Sequence, residues 1–379
     1  MKKRILIIGG YGGVGRALCR SLLRHQDCTI TIAGRSSEKA GKWKRAFRQE
    51  FDGGDVEAIA LDATDPDALR MALLEVDLAI VAATIPEEMD RVARAALATQ
   101  TDLMDILVRS DVIDRLAPFA VEAREHGLRF VTQCGFHPGL IAPAMRYASP
   151  WFDRYQQAAV FMAMDPVFER PESTHEVLYE TMGSRSRVLK DGKWQQASYR
   201  DAIEAEFPVY FGKRTCYPLN MEETHGLEQE LSLEHAGVYA AGFGPYVDNF
   251  IFPLSMLLGR ISKPLSQKIC GWLFFRHIRK SSLQVPRVEF LLKAEGIKQR
   301  SSREICLQIT ATDGFELTAQ CVVACYQQYR NGKIGPGLHL MGKVVDDQRL
   351  FHDLMQMGVE VSLTLDGQTL TGGQLSADN

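Results

Sequence analysis

The stretch RILIIGGYGGVG, residues 4–15, decides the fold. A short apolar run leads directly into glycines, and a helical pattern follows. Three of those glycines are spaced as GxGxxG: the first permits a tight turn, the second lets the backbone approach a pyrophosphate, and the third allows close packing of helix on strand. The pyrophosphate then lies at the helix N-terminus. The alternative is a glycine turn without a ligand. The predicted cofactor-binding residues of the turn are Gly10, Tyr11, Gly12, Gly13, Val14 and Gly15.

The chain from residue 4 to residue 133 alternates short β-branched runs with longer helical stretches. Runs such as TITIAG, DLAIVAAT and LRFVTQ are predicted to be strands, and stretches such as 16–24, 39–51 and 111–126 are predicted to be helices. Strands that alternate with helices indicate βαβ units and a parallel sheet. We therefore predict an α/β fold, with a doubly wound Rossmann domain over residues 1–133.

The end of the second predicted strand indicates which dinucleotide binds. A site for NAD usually places Asp or Glu there, to bond the ribose 2′-hydroxyl. This chain instead has Gly34, Arg35 and Ser36. A guanidinium can pair with a 2′-phosphate, which a carboxylate would repel. We therefore predict NADP(H), with Arg35 and Ser36 as cofactor-binding residues; the alternative is an exposed loop arginine that only stacks on adenine.

Ligands of such sheets bind at the carboxyl ends of the parallel strands. Asp62 and Ala63 end the third predicted strand, where a carboxylate can accept a hydrogen bond from the adenine amino group. Ala83 and Thr84 end the fourth, beside the expected nicotinamide ribose. The alternative for Asp62 is a turn or helix-capping role before Asp65.

Antiparallel signals begin after residue 133. Aromatic and β-branched stretches are separated by turns such as KDGK at 190–193. Strands are predicted at 285–294, 304–312 and 315–322. Asp313-Gly314, between the last two, is typical of a hairpin turn. We predict an α+β substrate or dimerisation domain with a mostly antiparallel sheet over 134–334. A helix at 346–357 and a strand at 359–365 follow, in a C-terminal segment, 335–379, expected to return to the Rossmann domain.

The composition excludes some functions. The net charge is −3 over 379 residues, so nothing favours nucleic-acid binding. The eight cysteines have no CxxC pair, which predicts reduced thiols in a cytoplasmic protein. The nine histidines show no HxxxH or HxH spacing, and no metal site is predicted.

The motifs GGYGGVGR, AGRS, LDATD, CGFHPGL, LTAQCVVAC and GKIGPGLHLMG together resemble the saccharopine dehydrogenase-like (saccharopine reductase) family. The resemblance covers most of the chain, with its specific motifs concentrated in the first 140 residues. It implies an NADP-type Rossmann domain, a second domain with a mixed or antiparallel sheet, and a homodimer. Related enzymes reduce a C=N bond or oxidise an amine by hydride transfer with the nicotinamide.

In that family the loop that matches Gly135-Phe136-His137-Pro138-Gly139 lies near the nicotinamide. His137 is the candidate catalytic residue, because a histidine titrates near neutrality and can protonate an amine or orient a carbonyl. Many relatives have an acidic residue at this position, where this chain has His137.

The stretch from Arg260 to Arg303 is basic and apolar, with 11 Lys or Arg against two Glu. It is interpreted as a buried helix or a dimer contact, because Pro253 and Pro264 break it into short pieces. Contact with a membrane surface is the less favoured alternative.

The sequence thus predicts an NADP(H)-dependent oxidoreductase acting on a C=N or CH–NH bond of a small-molecule substrate. The alternatives are a non-catalytic NADP(H)-binding protein and a membrane-peripheral reductase of an apolar substrate.

Overall fold

The computed structural model describes residues 2–165, 186–281 and 287–370, together with residues 174, 177 and 178. These residues form two compact units.

The first unit takes its residues from Met1–Pro143 and Phe315–Met357, and the second from Ala144–Gly314 and Gly358–Asn379. The sequence-based domain limits, at 133 and 334, differ from these. Residues 134–143 and 315–334 belong to the first unit, and residues 358–379 belong to the second.

Seventeen strands are present among the described residues. In chain order they are β1 (Lys3–Ile8), β2 (Cys28–Gly34), β3 (Val56–Ala60), β4 (Leu78–Val81), β5 (Asp102–Asp105), β6 (Arg129–Thr132), β7 (Arg154–Met164), β8 (Arg187–Lys190), β9 (Lys193–Gln196), β10 (Ile203–Phe207), β11 (Gly212–Leu219), β12 (His235–Ala241), β13 (Val288–Lys298), β14 (Ser301–Ala311), β15 (Gly337–Leu340), β16 (Glu360–Leu365) and β17 (Gln368–Leu370).

The α-helices that the structure describes over their length connect these strands. They are α1 (Gly13–His25), α2 (Ser37–Glu50), α3 (Pro66–Leu73), α4 (Met89–Thr99), α5 (Asp111–Leu116), α6 (Ala120–Glu125), α7 (Ile141–Ala148), α8 (Leu227–Glu230), α9 (Phe252–Ile261), α10 (Lys263–Ser281), α11 (Gly314–Arg330), α12 (Met341–Val344) and α13 (Asp347–Gln356).

A parallel seven-stranded sheet forms the centre of the first unit, in the order β15-β6-β5-β4-β1-β2-β3. Its central strands are buried along their apolar runs, as expected for a sheet covered on both faces: Ile5, Leu6 and Ile7 have no exposed surface. Strand order reverses at β1, whose neighbours are β4 and β2. The strands and helices predicted between residues 4 and 133 are confirmed, except that Pro118 lies in a 3₁₀ turn that divides the helix predicted at 111–126.

The second unit contains a ten-stranded sheet in the order β10-β11-β12-β7-β13-β14-β16-β17, with the hairpin β8-β9 attached to β12. Among the strand pairs of the described residues in this sheet, only β12–β7 is parallel. The predicted mostly antiparallel sheet is therefore confirmed. The predicted KDGK turn joins β8 to β9, and Lys190 pairs with Lys193 across it. The hairpin expected at Asp313-Gly314 is absent, because Gly314 begins α11. Residues 285 and 286 of the strand predicted at 285–294 lie outside the described residues.

The strand predicted at 315–322 is wrong, because these residues begin α11. Cys321, Val322, Val323, Ala324 and Cys325 are all fully buried. Over residues 316–321 polar and apolar residues alternate, which resembles a strand, and the buried run that follows presents no polar face to mark a helix.

The segment after residue 334 contributes to both units. Strand β15 adds to the parallel sheet beside β6, whereas β16 pairs with β14 in the antiparallel sheet. The predicted helix and strand at 346–357 and 359–365 are present, with Gly358 between them at φ +87°. Residues 371–379 of the predicted C-terminal segment lie outside the described residues.

A buried hydrogen bond fixes α11 to the parallel sheet. The Tyr329 hydroxyl donates to Asp102 Oδ2 at 2.6 Å, and Asp102 Oδ1 accepts the backbone N–H of Arg129 at 2.7 Å. Both side chains are buried, so leaving either unpaired would cost about 1–3 kcal/mol. A distant part of the chain therefore supports β5 and β6, where part of the candidate site lies.

Candidate functional site

The glycine turn joins β1 directly to α1. Gly9 has φ +87° and donates its N–H to Ala33 O at 2.8 Å. A Cβ on Gly15 would lie 2.2 Å from Gly9 O, so the helix can approach the strand this closely only with glycine at position 15. The sequence reasoning identified Gly15 but missed Gly9, whose left-handed conformation makes the turn.

The N-terminus of α1 is shaped to receive an anion. Gly12 is its N-cap residue, without a side-chain cap, and Gly12, Gly13 and Val14 are all partly exposed. The first amides of a helix lack partners within the helix and carry a partial positive charge. The geometry fits the pyrophosphate of a dinucleotide, with Gly10 and Tyr11 completing the turn that presents these amides.

Gly13 has a second constraint that the sequence reasoning missed. A Cβ there would lie 2.9 Å from the ring of Phe315, the second residue of α11. The start of α11 therefore packs on the glycine turn within the first unit, and glycine at this position allows the contact.

The residues predicted to select NADP(H) lie after β2, beside the turn. The Tyr11 ring covers Gly34, where a Cβ would be 2.5 Å from the ring, and its hydroxyl oxygen accepts the Ser36 N–H at 3.1 Å. Arg35 is exposed. The Ser36 hydroxyl oxygen accepts the Lys39 N–H at 3.2 Å as the N-cap of α2, which leaves its hydrogen free to be donated.

Two residues that the sequence reasoning missed lie beside Tyr11 of the turn. Arg16 donates to Tyr11 O at 3.0 Å, and its guanidinium lies 5.0 Å from the centre of the Trp43 ring. Trp43 is on α2, one helix further along the chain, so no local pattern linked the two. Arg16 therefore places a positive charge beside the glycine turn.

The other predicted cofactor residues follow β3 and β4. Asp62 is exposed, and its Oδ1 accepts the Thr64 N–H at 3.0 Å and the Thr64 hydroxyl at 2.9 Å. These bonds lower the pKa of the Asp62 carboxyl, with a small further contribution from the Arg35 charge. They make a turn, which is the alternative role expected for Asp62, and they leave its Oδ2 free for a ligand.

Ala63 is buried, Ala83 is partly buried and Thr84 is exposed. A Cβ on Gly9 would lie 2.8 Å from the Ala83 Cβ, so the end of β4 touches the turn that follows β1. Because of the strand order, Arg35 and Asp62 lie on one side of β1, and Ala83 and Thr84 lie on the other.

Asp105, at the carboxyl end of β5, is a candidate that the sequence reasoning missed. It is fully buried, and its Oδ1 accepts the N–H groups of Leu107 at 3.0 Å and Gln133 at 3.3 Å. Burial raises its pKa to about 6, in spite of these donors, which favour the carboxylate. The nearby Thr132 hydroxyl also favours the charged form of Asp105, although the two side chains are not in hydrogen-bond geometry. Among the described residues, Asp105 Oδ2 has no hydrogen-bond partner.

The loop after β6 places His137 at the same edge of the sheet. Cys134 N–H donates to Asp105 O at 2.7 Å, and Gln133 has φ +59°. Gly139 folds the loop back on itself, since a Cβ there would be 2.4 Å from Gly135 O. The His137–Pro138 peptide bond is cis.

His137 is neutral near physiological pH. Its Nε2 is shielded from solvent and has no hydrogen-bond partner among the described residues, and burial lowers the pKa of the ring to about 4. A neutral imidazole can orient a polar group through hydrogen bonds, but it is a weak source of protons at pH 7. Cys134 is unsuited to nucleophilic chemistry, because burial raises its thiol pKa well above the ordinary value.

The described residues contain no group of three or more His, Cys, Asp and Glu side chains placed to hold a metal ion. Within the same residues, every helix is too short or too polar to cross a bilayer.

Comparison with known proteins identifies the first domain. Residues 5–130 match the family model described as the saccharopine dehydrogenase NADP binding domain. The resemblance drawn from the motifs and the choice of NADP(H) as cofactor are therefore confirmed. A search by sequence against curated proteins found no match.

Solved structures share the fold of the whole chain. Saccharopine dehydrogenase (L-Glu forming) from Saccharomyces cerevisiae, in its apo form, matches with a TM-score of 0.68 and 16% identity, over 97% of this chain and 100% of that chain. An engineered D-amino acid dehydrogenase bound to NADP⁺ matches with a TM-score of 0.50 and 12% identity, over 94% of this chain and 100% of that chain. The predicted α/β class, with a Rossmann domain and a mostly antiparallel sheet, is confirmed.

Replacing Arg35 tests how the site selects its nucleotide. We expect Arg35→Ala to weaken NADPH binding by about 10–100-fold, because a charge-assisted hydrogen bond contributes about 1.5–3 kcal/mol, and to leave NADH binding nearly unchanged. Titration of each variant with both nucleotides measures the effect. The matched control is Arg24→Ala, an exposed arginine in the last turn of α1, at the end away from the phosphates. Equal losses for NADPH and NADH would assign Arg35 to adenine stacking instead.

The raised pKa of Asp105 predicts a stability difference that depends on pH. The pKa is about 6 in the folded chain against an ordinary 3.8, so the stability that the protonated carboxyl contributes is present below about pH 4 and is lost as the pH rises through about 6. Asp105→Asn retains an acceptor for both N–H groups and does not ionise. We expect the free energy of unfolding of Asp105→Asn to equal that of wild type near pH 4. Above pH 7 it should exceed the wild-type value by about 3 kcal/mol, since a shift of two pKa units corresponds to that energy.

Urea unfolding from about pH 4 to pH 8 measures this difference. The control is the exposed Asp114→Asn, whose difference from wild type should not vary over that range. A constant difference for Asp105→Asn as well would contradict the raised pKa.

Proposed function

We propose that this chain, with its saccharopine dehydrogenase-type NADP-binding domain, is an NADP(H)-dependent oxidoreductase that transfers hydride to or from a C=N or CH–NH bond of a small-molecule substrate. One observation carries the proposal. A buried carboxyl group with a pKa of about 6 lies at the carboxyl end of β5, on the opposite side of β1 from Arg35.

Residues after different strands would bind different parts of the cofactor. Arg35, Ser36 and Asp62 would hold the adenosine half of the cofactor, including its 2′-phosphate, and the amides of Gly12, Gly13 and Val14 would hold the pyrophosphate. Ala63 would line the adenine side of this site. Ala83 and Thr84 would contact the nicotinamide ribose. The nicotinamide, when bound, supplies or accepts the hydride.

Asp105 supplies the proton chemistry that amine oxidation requires. Oxidation of an amine to an imine removes a hydride from carbon and a proton from nitrogen, and the reverse reaction returns both. A carboxyl group with a pKa near 6 can accept or release that proton close to neutral pH, whereas one with an ordinary pKa is a weaker base. His137, which is neutral at this pH, would orient the nitrogen or a neighbouring carbonyl through Nε2.

A homodimer in the cytoplasm is proposed with this function. The family resemblance supports the dimer. All eight cysteines are free, which is typical of a reducing compartment.

Turnover assays test the function. Purified protein is mixed with NADPH, ammonia or a primary amine, and a panel of 2-oxo acids, and in the reverse direction with NADP⁺ and L- or D-amino acids; loss or gain of NADPH absorbance reports the reaction. We expect turnover with at least one substrate class. Tight NADPH binding without turnover across the panel would favour the non-catalytic NADP(H)-binding alternative.

The role of Asp105 has a separate test. We expect Asp105→Asn to lower kcat by about 100-fold or more while NADPH affinity stays within about twofold, because general acid–base catalysis contributes about 10²–10⁴-fold. In wild type, amine oxidation should rise with pH through about 6, and this limb should be absent from the variant. Asp114→Asn is again the control. Full activity of Asp105→Asn would exclude the proton-transfer role.

A further inference from the structure

The second unit carries a helical hairpin made of α9 and α10. Only Ser262 separates the two helices, and the buried Ser266 hydroxyl of α10 donates to Ser255 O of α9 at 2.8 Å. The inner side of the hairpin belongs to a hydrophobic cluster that includes Cys270, Phe274 and Ile278. The hairpin is therefore held in place by its inner face.

Helix α10 is apolar on two opposite faces. Cys270, Phe274 and Ile278 are spaced four residues apart and are buried. Leu265, Ile269 and Trp272 also share one face by their spacing, but they are 44%, 40% and 51% exposed. At about 100° per residue, the two stripes lie roughly 170° apart around the helix axis. The predicted burial of this stretch therefore applies to one face only.

Exposed apolar side chains are concentrated in this part of the molecule. Among the described residues, 15 large hydrophobic side chains are strongly exposed, and eight of them lie in the 27 residues from 246 to 272. Those eight are Tyr246, Phe250, Met256, Leu257, Ile261, Leu265, Ile269 and Trp272. Exposed hydrophobic surface on this scale marks an interaction site.

The hairpin also carries charge of one sign. Between residues 252 and 281 there are six Lys or Arg and no Asp or Glu. The six are Arg260, Lys263, Lys268, Arg276, Arg279 and Lys280.

Three basic groups of α10 flank its exposed apolar stripe, and Arg276 lies in line with the stripe, one turn beyond Trp272. By helical spacing, Lys268, Arg279 and Lys280 lie on either side of it. The Arg276 guanidinium lies 5.3 Å from the centre of the Trp272 ring, and the Arg279 guanidinium lies 5.6 Å from that of Phe275.

This charge distribution disfavours a second copy of the chain as the partner. A two-fold symmetric contact would bring the same positive groups together from both copies, with no acidic residue of either helix to compensate them. A bilayer that contains anionic lipids instead offers negative headgroups above an apolar interior. A helix with an apolar stripe flanked by Lys and Arg is suited to lie in that interface.

We propose that the α9–α10 hairpin binds the surface of an anionic lipid bilayer. Leu265, Ile269 and Trp272 enter the acyl-chain boundary, and the flanking Lys and Arg groups contact the headgroups. The chain lies on the membrane and does not cross it, in agreement with the lengths and polarity of the described helices. A homodimer, if formed, would use another surface.

Vesicle sedimentation tests the proposal with the full chain. We expect binding to phosphatidylcholine vesicles that contain phosphatidylserine, weak binding to phosphatidylcholine alone, and loss of binding at about 1 M salt, where charges are screened within about 3 Å. The Ile269→Glu/Trp272→Glu variant should bind at least about tenfold more weakly, because it places charge in the apolar boundary. Lys268→Glu/Arg279→Glu should lose about tenfold or more, since each basic group near the surface contributes to anionic binding.

The matched control is Tyr199→Glu, which changes an aromatic residue of the second unit that is 71% exposed and lies outside the hairpin. It should bind as wild type does. Circular dichroism and NADPH titration confirm that each variant is folded. Equal binding of wild type to neutral and anionic vesicles, or unchanged binding of the Trp272 variant, would overturn the proposal. A wild-type dimer that binds no vesicles and dissociates in the Trp272 variant would identify a second copy as the partner.

Discussion

The approach of α1 to β1 at the glycine turn is the constraint on which the candidate site depends. A Cβ on Gly15 would lie 2.2 Å from Gly9 O, a distance that no packing adjustment of side chains could relieve. This contact brings the first amides of α1 to the point where strand order reverses. The residues that follow β2 and β3 then lie on one side of these amides, and those that follow β4, β5 and β6 lie on the other.

The two sides of the site differ in their electrostatics. Arg35 is exposed and fully charged, and it is suited to recognise a phosphate that is itself partly solvated. Asp105 is buried, where removal of water raises its pKa to about 6, and His137 is buried enough to remain neutral. The edge of one sheet therefore presents a fixed positive charge for binding and a carboxyl group suited to proton transfer near neutral pH. The two sides differ because Arg35 is exposed to solvent and Asp105 is buried, and not because of their residue types alone.

The sequence predicted the features that are local in the chain. The GxGxxG spacing, the alternation of strands and helices and the position of Arg35 are all visible within short windows. Asp105 was missed because the local sequence DLMDI does not indicate that this carboxyl group is buried. Nor does it indicate that Oδ2 lacks a hydrogen-bond partner among the described residues. Arg16 and Trp43 come together only through packing of α1 against α2, and Phe315 reaches Gly13 from 302 positions away in the chain. Helix α11 was predicted as a strand because polar and apolar residues alternate over its first turns, and the buried run that follows lacks a polar face.

NADPH titration of Gly15→Ala tests the account most directly. The matched control is Gly41→Ala, inside α2, where an added Cβ meets only Arg45 Nη1 at 3.7 Å and should stabilise the helix by about 0.5–1 kcal/mol. We predict that Gly41→Ala binds NADPH as wild type does, and that Gly15→Ala, under conditions where circular dichroism shows it folded, loses at least about 100-fold in affinity because its helix amides are displaced from the turn. A folded Gly15→Ala variant with wild-type affinity for NADPH would contradict the account.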